Sequence, residues 1–91
     1  MKLTTVGHIA EKLQARRLAN QARQLRQVAE AARVLCWQAT TAELADPTPA
    51  IRNAALFARQ ADLAWARVAH AAETNAANAA KAAGTRYSET D

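Results

Sequence analysis

Apolar side chains recur along this chain with a helical period, and nowhere with the period of two that marks a half-buried strand. Leu18, Ala22, Leu25, Val28/Ala29, Ala32, Leu35/Cys36 and Ala39 form one stripe. At about 100° per residue they share one face of a helix expected over about 17–45. A second stripe, Phe57, Ala61, Ala64/Trp65, Val68 and Ala72, extended toward the first by Ile51 and Ala54, predicts a long helix over about 49–83. Beyond Ala72 this face carries Asn75, Ala76 and Ala79, so its last third offers little to bury. Val6, Ile9 and Leu13 also keep helical spacing, but roughly opposite the stripe that begins at Leu18. The favoured reading is a short helix, about 5–14, kinked near Gln14–Arg17 into the long one. A single unbroken helix is the close alternative.

Between the two long patterns stands Asp46-Pro47-Thr48-Pro49. A residue before proline is pushed out of the helical region, and proline lacks the N–H a continuing helix needs. The first helix should therefore end near Ala45. Thr48 is placed to cap the second, with Pro49 at its first position, and Asp46 with Pro47 is the alternative cap. So short a connection predicts a chain reversal and antiparallel neighbours. Gly84 suits a left-handed residue just past the second helix, and the polar tail 85–91 is expected to be disordered.

Leu18, Leu25, Ala32 and Ala39 fit a short heptad seam, but its companion position at Gln21 is polar, which favours a bundle member over a long coiled coil. The fold expected is all-α: a long antiparallel helical hairpin with a short N-terminal helical segment, each long helix about 45–55 Å in length. It forms one all-helical domain over 1–84. Leu56 and Leu63 lie on the side of Arg52, Arg59 and Arg67, far around the helix from Phe57 and Val68. One hairpin cannot bury both sets. The short N-terminal helix, a second copy closing toward a four-helix-like bundle, or another protein is expected to cover what remains.

Composition sharpens this. Apolar residues make up 51% of the 91 residues, but 26 of those 46 are alanine, so large core side chains are scarce. Small helical chains in that position tend to oligomerise. The lone Cys36 excludes an internal disulfide and points to a reducing compartment, most simply the cytoplasm. No apolar run approaches the ~18 residues of a membrane span, and no signal-peptide pattern is visible.

The formal net charge of +4 belongs to the first half. Residues 1–45 hold seven basic and three acidic side chains, and residues 46–91 hold five of each. Lys12, Arg16, Arg23, Arg26 and Arg33 make a basic ridge that ends at Trp37, with Glu30 placed to pair within it. Such a ridge suits an acidic protein groove, a phosphate backbone or an anionic membrane surface. No catalytic chemistry is visible. His8 and His70 lack partners at metal-ligand spacing, carboxylates are scattered, and no Gly-rich phosphate loop exists. His70 is placed to pair with Glu73 one turn on. No metal, cofactor or enzymatic activity is expected.

The run Thr5-Val6-Gly7-His8-Ile9-Ala10-Glu11-Lys12-Leu13 resembles the first helix of helix-turn-helix DNA-binding domains, in which an Ile-Ala-Glu-Lys-Leu run is common. The likeness covers nine residues. It implies a following tight turn and a recognition helix. Gln14-Ala15-Arg16-Arg17-Leu18 supplies no turn residue.

The function expected is non-catalytic protein binding: a small cytoplasmic adaptor, regulator or inhibitor docking a helical face on a larger host or cognate protein. Short, cofactor-free chains of biased composition are frequent among phage and plasmid accessory proteins that block host complexes. The residues expected to make contact are Arg16, Arg23, Arg26, Arg33, Trp37, Leu56 and Leu63. Nucleic-acid binding through the basic ridge is the alternative, and no membrane role is expected.

Overall fold

The computed structural model describes residues 2–88, with side chains from residue 7 to residue 84. It contains two helices, α1 (Lys2–Ala45) and α2 (Pro49–Ser88), packed antiparallel as a helical hairpin. The molecule is a rod of 67 × 15 × 13 Å. At 1.5 Å per residue the 44 residues of α1 should span about 66 Å, so the helix runs the whole length without folding back.

The expected kink at Gln14–Arg17 is absent. Gln, Ala and Arg all have high helix propensity, and the shift in apolar phase near residue 14 removes no backbone hydrogen bond. α1 is therefore one helix, longer than the 45–55 Å expected. It also has no break where a helix-turn-helix motif would need its turn. The short N-terminal segment belongs to the same rod.

The reversal falls where the prolines put it. The Asp46 N–H donates to the Ala42 carbonyl at 2.9 Å, closing α1, and the Thr48 N–H donates to the Asp46 carbonyl at 2.8 Å. Thr48 then caps α2: its Oγ1 accepts from the Ile51 N–H at 3.3 Å, and its carbonyl accepts from the Arg52 N–H at 2.9 Å. Pro49 occupies the first helical position, where its missing N–H leaves no bond unmade. At the far end α2 passes through Gly84 to Ser88. Among the described residues no backbone adopts positive φ, so Gly84 is not the left-handed terminator expected of it. Residues 85–88 continue the helix, and 89–91 lie outside the described residues.

Ala15, Leu18, Ala22, Leu25, Ala29, Ala32, Cys36 and Ala39 follow alternating steps of three and four along α1. Ile51, Ala55, Ala58, Asp62, Trp65, Ala69, Ala72, Ala76, Ala79 and Ala83 do the same along α2. This is the 3.5-residue repeat of a coiled coil. The companion to Leu18 is Ala22, four residues on, rather than Gln21, which falls on a flank. Every buried apolar residue described is an alanine: Ala22, Ala29, Ala32, Ala55, Ala69, Ala76 and Ala83, with Ala55 and Ala69 at 0% exposure.

The α2 stripe read from the large residues is therefore rotated from the true seam. Phe57, expected in the core, is 70% exposed, and Val68 is exposed beside the seam. Trp65 is on the seam but keeps 38% of its surface accessible. The last third of α2, expected to have little to bury, packs through Ala76 and Ala83.

Candidate functional site

The seam register sorts the remaining side chains into two long faces. On α1 the residues one and four places after Ala15, Ala22, Ala29 and Cys36 lie to one side. They include Arg16, Arg23, Arg26, Arg33 and Trp37. On α2 the seam positions Ala55, Asp62 and Ala69 set the matching rows. One place after them stand Leu56, Leu63 and His70, and the row nearer the seam holds Arg52, Arg59 and Glu73.

One ion pair joins these rows of α1 and α2 on one side of the rod, and a second ties the α2 row to Glu43, at the seam position one heptad after Cys36. Arg26 grips Glu73 with both arms of its guanidinium, Nε to Oε2 at 3.0 Å and Nη2 to Oε1 at 2.5 Å. Arg59 Nη2 reaches Glu43 Oε2 at 2.5 Å.

All seven residues expected to make contact thus lie on one face. Trp37 is 68% exposed, Leu63 60% and Leu56 49%. Trp37 falls between Arg26 and Glu43 in α1, and Leu63 between Arg59 and Glu73 in α2, so both ion pairs frame them. Lys12 joins the same rows. Among residues 7–84 the face carries seven basic side chains (Lys12, Arg16, Arg23, Arg26, Arg33, Arg52, Arg59) against Glu30, Glu43 and Glu73. Elsewhere in that range Arg17, Arg67 and Lys81 cancel Glu11, Asp46 and Asp62. The surplus of positive charge is concentrated here.

Local bonds fix parts of this surface. Arg23 donates to the side-chain oxygen of Asn20, one turn back. The Thr41 hydroxyl donates to the Trp37 carbonyl at 2.9 Å. The hydrogen bond from Arg26 holds the Glu73 carboxyl below its ordinary pKa and raises that of the Arg26 guanidinium. Sequence spacing alone pairs Arg26 with Glu30, and Glu73 with His70. Instead Arg26 and Glu73 pair with each other across the hairpin, a contact that becomes visible only once the helix register is known. Glu30 and His70 act on the pair only through their fields.

Among the described residues, His70 is the one histidine on this face and no cysteine joins it. Cys36 is half-buried in the seam, His8 lies at the other end of α1, and His70 is exposed. Among the described residues no three His, Cys, Asp or Glu side chains come together in a group that could hold a metal. None of the helices described is long and apolar enough to cross a membrane. No protein-family model, curated protein or solved structure matches the chain.

Proposed function

We propose that the hairpin is a non-catalytic protein-binding module that docks its basic face onto an acidic surface of a larger partner, as a cytoplasmic adaptor, regulator or inhibitor. What supports this is the convergence of Arg16, Arg23 and Arg33 with exposed Trp37, Leu56 and Leu63 on one side of a straight rod. Arginine and tryptophan are among the side chains most enriched at binding hot spots, and flanking apolar contacts exclude water from them. A phosphate backbone makes no use of the leucines, and two of the arginines are already paired to glutamates.

Capture from the native host on immobilised protein tests the reading. A partner should be retained by the wild type, lost with Leu63→Asp and with Arg23→Glu, and kept with Val68→Asp on the opposite face. Titration of duplex and single-stranded DNA at low salt is the companion experiment. Binding that weakens steeply with salt, is abolished by Arg16→Glu/Arg23→Glu and ignores Leu63→Asp would establish the nucleic-acid alternative instead.

A further inference from the structure

The face opposite the basic one has a different character. On α1 its rows carry no charge from Leu18 to Ala42, with Arg17 standing just beyond, and on α2 none from Ile51 to Ala82. The two helices line shared shallow grooves there, one between Leu18 and Leu25 of α1 and Val68 and Ala72 of α2. A second lies between Val28 and Leu35 of α1 and Ala61 and Trp65 of α2. Val28, Leu35, Phe57, Trp65 and Val68 are all exposed along this face.

We infer that this uncharged face binds a second copy of the chain, giving a four-helix bundle with the basic faces outward. Two observations select that occupant. A foreign partner of ordinary composition would bring charges to be desolvated without counter-charges, whereas a second copy presents the same uncharged surface. The strip is also large enough. From Leu18 to Ala42 it is about 36 Å long on a rod 15 Å across, on the order of 540 Å² per copy, so that two copies together clear the ~1,000 Å² expected of a biological interface. A two-fold axis across the rod makes the contact self-complementary. It sets Phe57 of each copy toward the leucine-lined groove of the other.

Sedimentation equilibrium tests this without any other partner, so its outcome is independent of the docking reading above. The expected mass is twice the 9.8 kDa of one chain. Val68→Asp or Leu35→Asp should raise the dimer dissociation constant by about 100-fold or more, and Leu63→Asp should leave it unchanged. Should those variants lose helix by circular dichroism, a Trp37→Phe chain reports through Trp65, whose emission should shift to the red on dilution in step with the mass. A monomer at all concentrations up to about 100 μM, a dimer dissolved by Leu63→Asp but not by Val68→Asp, or Trp65 emission that ignores dissociation would each overturn the inference.

Discussion

A methyl group added at position 84 would meet nothing within 4 Å beyond its own turn of helix, and the backbone there is helical without positive φ. Gly84→Ala should therefore stabilise the hairpin, by up to about 1 kcal/mol, through the higher helix propensity of alanine. Thermal unfolding followed by circular dichroism measures it, and a lower midpoint would refute it. Glu73 sets a second expectation. Its carboxyl is depressed in the folded state by the hydrogen bond from Arg26. The stability it contributes is present above the ordinary carboxylate pKa and lost as pH falls through the lowered value. The gap in melting midpoint between wild type and Glu73→Gln should therefore narrow from about pH 6 to about pH 3. At this scale Thr48 and Pro49 were legible, because capping depends on residues within one turn. Gly84 misleads for a related reason: glycine permits a left-handed terminus but does not compel one.

At the scale of the element, both helices and the reversal could be read from the chain, but the contacting side of α2 could not. The eye follows large residues, and on α2 Leu56, Phe57, Leu63 and Val68 flank a seam built mostly from alanine. With Ala69 at 0% exposure, the opposing backbone leaves no room for a longer side chain. Ala69→Leu should cost about 1–3 kcal/mol by forcing the helices apart, although leucine is nearly as good a helix former. Chemical denaturation with circular dichroism reads that loss. A neutral or stabilised variant would mean that the seam is looser than the structure shows. The kink expected in α1 fails because a change in apolar phase alters which side is greasy without weakening the backbone.

For the whole molecule, the charges separate the two long faces more sharply than hydrophobicity does. The residues expected to make contact come together because they share heptad rows, and periodicity alone places those on one flank of each helix. Joining the two flanks required the register, which the Arg26–Glu73 and Arg59–Glu43 pairs reveal. The same register exposes the uncharged side, with Phe57 and Val68, which the spacing of large residues assigns to an interior. A two-fold bundle would carry two copies of the basic face, pointing away from each other.

A seam made mostly of alanine has few large knobs, Leu18, Leu25 and Trp65 among them, to stop one rod from sliding along its neighbour. Residues 46–48 therefore work as a ruler: by tying Ala45 to Pro49 they choose one setting among several that would look alike to the alanines. A chain severed there would leave the alignment of its rods to those few side chains and two surface ion pairs.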